Sequence, residues 1–479
     1  MDVYSQLSNP LALTVFIVTL TLPVIIGFLT LRFTKNQSDF LIGGRGMNTF
    51  AVALSAVSSG RSSWLVLGVS GMAFTMGTGA VWAVAGYIIM EMFQFVFIGI
   101  KLRNRTESYG SLTLLDYFET RYNDKKHLIR ITGGIIIALF MTAYVAAQFN
   151  AGAKALTTAL GVDPILSLII AGLLVLVYMV LGGYIAVVYN DVVRALIMIL
   201  ALVIFPVILL VKMGGLPHLF DTLGAVASSH LNPYAIGMGG IISFLGIGLG
   251  SPGQPHIVVR YMSIKDPDKL RLSAVIGTVW NVLMGWGAVF IGLIGRALFR
   301  QAAALPDQDP EMVYLALSAE HFGPLLYGLL IGGVFAAILS TADSQLLVVS
   351  TSFVRDVYEQ MVKRGAVIPE KRKLLLSRLV LVVTGVAALF LAYAAQDLIF
   401  WLVLFAWGGL GASFGMAVIF SLYWDKSNRF GIMAGMICGS VVTVVWKLFL
   451  KEATGIYELI PAIILAAAAI VVVSRVTQE

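Results

Sequence analysis

Long apolar runs are the feature of this sequence that most restricts its fold. A first run covers residues 11–31, and twelve more follow it at 47–74, 80–101, 131–157, 164–187, 192–213, 236–258, 273–298, 323–350, 375–395, 397–423, 430–449 and 457–475. About 20 apolar residues in a helix cross the hydrocarbon core of a bilayer, and a helix satisfies its own backbone groups there. The sequence therefore predicts an all-α polytopic membrane protein with thirteen transmembrane helices.

The composition excludes an ordinary soluble protein. Hydrophobic residues make up 59% of the chain and charged residues 12%, whereas soluble domains are roughly 45–50% apolar and about 25% charged. The five histidines lie mostly in loops or near the ends of runs, and the hydrolase motifs HExxH and GxSxG do not occur. Cys438 is the single cysteine, so no intramolecular disulfide forms. We expect a protein that is not an enzyme and that uses no organic cofactor.

The basic residues indicate an orientation. If the N-terminus lies outside and the runs alternate, most of the 32 Lys and Arg residues fall on the inside. Arg194 lies near that side, and the inside loops cover Arg32–Arg45, Lys101–Arg130, Arg260–Arg271, Arg355–Arg378 and Lys426–Arg429. This is the positive-inside bias of membrane proteins, and it explains the net charge of +7 without a nucleic-acid partner.

The termini and loops complete this topology. The first ten residues carry no basic side chain, which argues against a cleaved signal peptide. We expect a multi-pass protein of the cell's inner (plasma) membrane with the N-terminus outside and the C-terminus cytoplasmic. Its partners are the lipid bilayer and a small solute, and no protein partner is required. The outside connections at 214–235 and 299–322 have room for short surface helices.

Two of the runs carry helix-breaking sequences at their middle. The second run contains SAVSSGRSSW at 55–64, and the seventh contains GIGLGSPGQP at 246–255. Irregular backbone at membrane depth is tolerated only where it is buried in protein or lines a wet cavity. Paired breaks at corresponding positions of two repeats are typical of a transporter's central site. Glycine used for close helix packing is the alternative explanation.

The spacing of the breaks predicts an internal repeat. The interrupted runs are the second and the seventh, five positions apart, so runs 2–6 (47–213) and 7–11 (236–423) form two five-helix repeats, the second inverted relative to the first. Residues 1–46 and 430–479 add extra helices at either end. We treat residues 1–479 as a single domain because no linker or low-complexity segment divides them.

Three motifs carry a resemblance to a known family. They are SDFLIGGR at 38–45, GQPH at 253–256 with Arg260, and AAILSTADSQ at 336–345. Together they resemble the sodium/solute symporter family, nearest to its sodium/proline symporter branch, over almost the whole chain. The resemblance implies the LeuT-like inverted-repeat fold. It also implies a secondary active transporter that couples sodium entry to uptake of a small solute, such as proline or a related carboxylate, by alternating access.

The same resemblance implies ligands for the coupling ion, Na⁺. The family's main sodium site corresponds here to Ser58, Arg61 (main chain only), Ala337, Ser340 and Thr341. Some members bind a further sodium, and that constellation corresponds to Asp191, Ser340, Asp343 and Ser344. Two alternatives stay open: the hydroxyls can bond back to their own helix, and Asp191 can cap the start of its helix.

The solute site is expected between the two breaks. The proline branch implies Trp64 and Tyr144 as aromatic walls with Ser62 beside them. The full candidate set is Ser59, Gly60, Ser62, Trp64, Tyr144, Ser251 and Gln254. Packing within the helices is the alternative role for either aromatic ring.

This sequence departs from the proline branch around the expected site. Gly60 stands at an aspartate position, Ile247 and Ser251 stand at a tryptophan and a tyrosine position, and Arg61 replaces an apolar residue. An arginine at mid-membrane costs at least about 2.5–3.5 kcal/mol and needs a partner. Arg61 either pairs with Asp343, replacing or regulating a bound cation, or holds a substrate carboxylate in a bidentate fork. The alternative function is a transporter of the same fold that is sodium-independent or proton-coupled.

Overall fold

The computed structural model describes residues 6–34, 36–179, 183–362, 368–394 and 398–478. Across these ranges the chain is helical, and β structure is confined to one isolated bridge between Met47 and Ile264. Ten helical stretches in the described part are long and apolar enough to cross a membrane. The prediction of an all-α, multi-pass membrane protein is therefore confirmed.

The first half of the chain contains eleven α-helices within the described residues. They are α1 Pro10–Leu31, α2 Gln37–Ile42, α3 Thr49–Ser63, α4 Ser70–Met76, α5 Val81–Phe93, α6 Ile100–Ser108, α7 Leu114–Tyr122, α8 Leu128–Leu160, α9 Pro164–Met179, α10 Tyr184–Ile199 and α11 Phe205–Lys212. Wider π-helical turns join α3 to α4, α5 to α6 and α10 to α11. Such turns are frequent at functional positions in long helices.

The second half contains twelve more within the same described ranges. They are α12 Gly215–Ala227, α13 Gly237–Gly246, α14 Pro255–Ser263, α15 Leu270–Phe299, α16 Val313–His321, α17 Pro324–Thr351, α18 Glu370–Ala394, α19 Ile399–Leu410, α20 Met416–Tyr423, α21 Arg429–Val445, α22 Lys451–Thr454 and α23 Leu459–Val476. Short helices α12 and α16 lie in the connections at 214–235 and 299–322, as expected. Most of α12 is exposed or half-buried, but α16 is mostly buried and is not the surface helix that the sequence predicted.

One helix boundary differs from the prediction. The fifth run was expected at 164–187 and the sixth at 192–213, but α10 already begins at Tyr184, after Gly183 in an extended conformation. Hydropathy alone does not reveal this boundary, although Gly182 and Gly183 directly before it form a pair typical of turns. Asp191 therefore lies about two turns inside α10, fully buried. Its alternative role as a helix cap is wrong.

Both predicted interruptions are present. In α3, Ser62 has φ 42° and ψ −171°, outside the helical region. The Ser62 hydroxyl accepts the Trp64 N–H at 3.1 Å, and the Gln148 side-chain oxygen accepts the Ser63 N–H at 3.2 Å. Side chains thus replace backbone bonds that the break removes, in a part of the protein where lipid offers no partner.

The second interruption separates α13 from α14 by a 3₁₀ turn at Ile247–Gly253. The Trp407 indole donates to the Ile247 carbonyl at 2.8 Å, and the Gln254 amide donates to the Gly250 carbonyl at 3.1 Å. A Cβ on Gly253 would lie 2.5 Å from the Leu410 carbonyl oxygen. Close packing and helix interruption are therefore combined in this segment.

The two interrupted helices pack against each other, since α3 contacts α14, and each has further partners of its own. Helix α3 packs on α10, α14, α15 and α17, while the 3₁₀ turn packs on α5 and on the turn between α19 and α20. The start of α3 and the end of α14 are also joined by backbone: Met47 N–H donates to Ser263 at 3.1 Å, and Lys265 N–H donates to Met47 at 2.9 Å. The two breaks thus belong to one buried centre.

Candidate functional site

Oxygen atoms of α3 and α17 meet just before the break in α3. The Ser340 hydroxyl lies 3.1 Å from the Ser58 carbonyl oxygen and 3.0 Å from the Ala337 carbonyl oxygen. The Thr341 hydroxyl donates to the Ser59 carbonyl at 2.9 Å. Every one of these residues is buried. Hard oxygen donors gathered in this way suit a small cation such as Na⁺.

These contacts also bear on the alternative role of the hydroxyls. Ser340 bonds both within its own helix and across to α3, whereas Thr341 bonds across to α3. The Arg61 carbonyl, the remaining predicted ligand, accepts the Trp64 N–H. Four predicted ligands therefore lie at the α3–α17 contact, and the fifth lies one turn further along α3.

A second polar cluster lies one turn away, around Asp191. The Ser55 and Ser59 hydroxyls donate to Asp191 Oδ2 at 2.7 and 2.9 Å. Arg260 Nη2 lies 3.2 Å from the same oxygen and also donates to the Ser344 hydroxyl. The Ser344 and Ser59 hydroxyls are 3.1 Å apart. The structure thus brings Asp191 and Ser344 together as predicted, with a guanidinium between them.

Asp343 is held by a different arginine. Arg194 Nη1 on α10 donates to Asp343 Oδ2 on α17, and both side chains are buried. The sequence counted Arg194 and Arg260 among the charges on the inside, and the structure shows that both guanidinium groups are fully buried. Each lies near the end of an apolar run, and its long side chain reaches inward to a carboxylate.

Arg61 has a partner that the sequence reasoning missed. Its guanidinium pairs with Glu91 on α5, donates from Nε to the Asn281 side-chain oxygen at 2.8 Å, and lies 3.8 Å from the centre of the Tyr87 ring. The hypothesis that Arg61 pairs with Asp343 is therefore wrong. An acidic residue inside the predicted third run was the available signal, because an intramembrane charge calls for a partner of opposite sign.

The expected solute residues fall into two groups. Trp64 stacks on Phe400 with ring centres 5.6 Å apart, and its indole N–H has no partner among the described residues. Tyr144 contacts His256 edge-on at 6.0 Å and is hydrogen-bonded to Ser62. These residues gather α3, α8, α14 and α19 around the first break.

The remaining candidates lie at or beside the second interrupted helix. The Ser251 hydroxyl and the Gln254 side-chain oxygen are buried without a partner in the described part of the chain. Gly60 faces this helix: a Cβ on Gly60 would lie 3.0 Å from Ile257 Cδ1. Buried polar atoms that lack partners usually require a water, an ion or a ligand.

The two sides of this centre differ. On the side of the basic loops, a cavity extends from Arg260 and Ser344 to Thr113 and Asp356. On the other side, the connection before α16 holds Phe400, and the Phe400 ring in turn stacks on Trp64. Buried Glu311 accepts the Ile399 and Phe400 N–H groups at 2.9 and 2.8 Å and pairs with Lys154 at 2.9 Å. Burial raises the pKa of Glu311, while Lys154 lowers it.

Comparison with known proteins follows this geometry. The family model "sodium:solute symporter family" matches residues 40–439. The osmoregulated proline transporter OpuE of Bacillus subtilis is 35% identical over 95% of this chain and 93% of its own length. A sodium/proline symporter of Staphylococcus aureus is 35% identical over 95% of this chain and 91% of its own length.

Solved structures give the same fold. A sodium-coupled sialic acid symporter, in a substrate-bound outward-open state with a novel sodium site, superposes with a TM-score of 0.81 at 18% identity, covering 98% of both chains. The nucleobase-cation-symport-1 family transporter Mhp1, closed around bromovinylhydantoin, superposes with a TM-score of 0.56 at 16% identity, covering 92% of this chain and 96% of its own.

Proposed function

Because this chain belongs to the sodium:solute symporter family, we propose that it couples sodium entry to the uptake of proline or a closely related small carboxylate. The family consists of transporters rather than enzymes. The observation that carries the proposal is the meeting of Ser58, Ala337 and Ser340 oxygens beside an interrupted helix. The relatives named for proline support the choice of solute.

The proposed topology has thirteen spans in the plasma membrane, with the N-terminus outside. Three facts support it beyond the ten long helices. The stretch Thr49–Ser108 holds two predicted spans. Helix α9 is apolar but has only 16 described residues, fewer than a full span. The seventh span is divided into α13 and α14. Repeats at 47–213 and 236–423, flanked by 1–46 and 430–479, place the two interruptions in matching positions.

In the proposed cycle, sodium binds to the oxygens of α3 and α17 and fixes the break at Ser62. This holds Trp64 and Tyr144 in place as walls of the solute site, where an aromatic face and a polar handle suit a small zwitterion. Sodium entry supplies about 2.3 kcal/mol per 100 mV of membrane potential. Coupling requires that sodium and solute each bind one conformation better than the other.

Residues of the second interrupted helix suggest that this solute site accepts larger or more polar molecules than the site of the proline branch. Ile247 and Ser251 occupy positions where that branch has a tryptophan and a tyrosine. Smaller side chains leave more room, and the unpartnered Ser251 hydroxyl offers a hydrogen bond. We therefore expect uptake of proline together with bulkier or more polar relatives.

The test is uptake in proteoliposomes. Labelled proline and a panel of small amino acids and monocarboxylates are offered with and without an inward sodium gradient. Ser340→Ala is expected to raise the half-saturating sodium concentration at least tenfold, about 1.4 kcal/mol, because it removes an oxygen from the α3–α17 contact. The matched control is Ser350→Ala, ten residues along α17, where the buried hydroxyl bonds to Ser377. Uptake equally fast without sodium, and unchanged in Ser340→Ala, contradicts the proposal.

A proton-coupled transporter of the same fold is the second candidate. The observation that favours it is the buried Glu91 carboxylate, which holds Arg61 at the interrupted helix and has one oxygen without a partner in the described structure. A membrane carboxylate is a common proton carrier. An inward pH gradient that drives uptake without sodium, and no longer does so in Glu91→Gln, is the result that would support this candidate.

A further inference from the structure

We propose that Arg260 is a built-in cation that fills the second cation site and limits transport to one sodium per cycle. This inference rests on the proposed function. It concerns the constellation around Asp191, Asp343 and Ser344, where the resemblance predicts a further sodium. The arginine already holds two of the oxygens predicted for that sodium, Asp191 Oδ2 and the Ser344 hydroxyl.

The guanidinium group is surrounded by oxygen atoms from three helices. Arg260 Nε donates to the Ser55 hydroxyl at 3.1 Å, Nη2 lies 3.2 Å from Asp191 Oδ2 and donates to Ser344, and Nη1 donates to the His256 carbonyl. Ser55, Asp191 and Ser344 come from α3, α10 and α17. A sodium ion bound to Asp191 Oδ2 and the Ser344 hydroxyl would have to displace Nη2, because the guanidinium group already holds both atoms. Asp191 Oδ1 and Asp343 Oδ1 have no partner among the described residues, so displacement is expected only for a sodium that uses Asp191 Oδ2.

Charge balance gives the same result. Asp191 faces Arg260, and Asp343 faces Arg194, so two carboxylates and two guanidinium groups neutralise one another in a buried cluster. A sodium ion added to this cluster would be a buried charge without a counterion. Burying an unpaired charge costs several kcal/mol even after relaxation.

The cluster lies directly beside the main sodium site. The Ser344 hydroxyl, which accepts from Arg260, donates to the Ser340 carbonyl at 2.8 Å. Arg260 itself belongs to α14, the second half of the other interrupted helix. The tethered charge therefore links both interruptions while it occupies the position of a second ion.

A cavity adjoins this position on the side of the basic loops, and Arg260 and Ser344 line it together with Thr113 and Asp356. Removing the guanidinium would enlarge this cavity and leave a group of oxygens that carries the Asp191 charge. That condition makes the proposal testable by substitution.

The experiment measures the ratio of ²²Na⁺ to labelled solute taken up by proteoliposomes, and the Hill coefficient for sodium. We expect a ratio and a Hill coefficient of one for the wild-type chain. Arg260→Gln is expected to move both toward two, and adding Asp191→Asn is expected to return both to one. Arg260→Lys, which keeps a tethered charge, is the matched control and should stay at one.

Other outcomes separate this inference from the proposed function. A wild-type ratio of two, or an Arg260→Gln protein that transports with a ratio still at one, overturns the inference alone. If Arg260→Gln does not fold, Asp191→Asn in the wild-type background is measured instead. A change of less than about twofold in the half-saturating sodium concentration, roughly 0.4 kcal/mol, supports the inference. A tenfold or larger rise in that concentration overturns it. Uptake that does not respond to sodium in the wild-type chain refutes the proposed function first.

Discussion

Arg61 and Glu91 form an ion pair whose side chains are both almost completely buried. Removing one charge of such a pair leaves the other without compensation, which typically costs 3–5 kcal/mol. We expect Glu91→Gln to lower the unfolding temperature of the detergent-purified protein strongly, and the double change Arg61→Met with Glu91→Leu to recover most of the loss. The control is Asp425→Asn, which breaks the pair between Arg121 and an almost fully exposed Asp425. Equal effects from Glu91→Gln and Asp425→Asn would contradict this expectation.

At the same scale, sequence and resemblance identified Ser340 and Thr341, which contact α3, but not the arginine partners. Ser340 and Thr341 follow from a motif on one helix, and their contacts with α3 are those expected. The partners of Arg61, Arg194 and Arg260 lie 30 to 149 residues away along the chain. Hydropathy records that a charge is present near a span, but only the packing of helices determines which carboxylate it meets.

The interrupted seventh span depends on close backbone contact. Gly253 faces the Leu410 carbonyl and the Gly415 amide, each within 2.6 Å of where a Cβ would stand. Gly253→Ala is therefore expected to destabilise the protein by about 1–3 kcal/mol through overpacking, and to impair transport. Gly239→Ala in α13 is the matched control, since nothing lies within 4 Å of its Cβ position. Thermal unfolding and uptake measured side by side distinguish the two; a neutral Gly253→Ala would argue against this contact.

At the scale of the elements, apolar length and broken patterns predicted most helices and both interruptions. The boundary near Tyr184 was missed because the prediction followed hydropathy and passed over the Gly182–Gly183 pair, which is a local turn signal. The short helices α2 and α7 were not predicted. Their starts are marked by Asn36 and Thr113, whose side chains accept N–H groups in the first turn. Such capping signals are local, and hydropathy averaged over a span does not detect them.

Across the whole molecule, Glu311 connects an outside loop to the start of α19 and thereby holds Phe400 over Trp64. Because burial raises the pKa of Glu311, its contribution to stability is present at low pH and is lost as pH rises through that raised pKa. We expect the contribution of Glu311 to the thermal stability of the wild-type protein to grow as pH falls through this raised pKa, and Glu311→Gln to lose this part of the pH response. Glu320→Gln, at an exposed site, is the control and should behave as wild type; an unchanged pH response in Glu311→Gln would contradict the assignment.

The short backbone pairing of Met47 with residues 263–265 has a mechanical consequence. It joins the start of α3 to the end of α14. We therefore expect these two half-helices to move together as a single lever in any conformational change, with pivots at the breaks near Ser62 and Gln254.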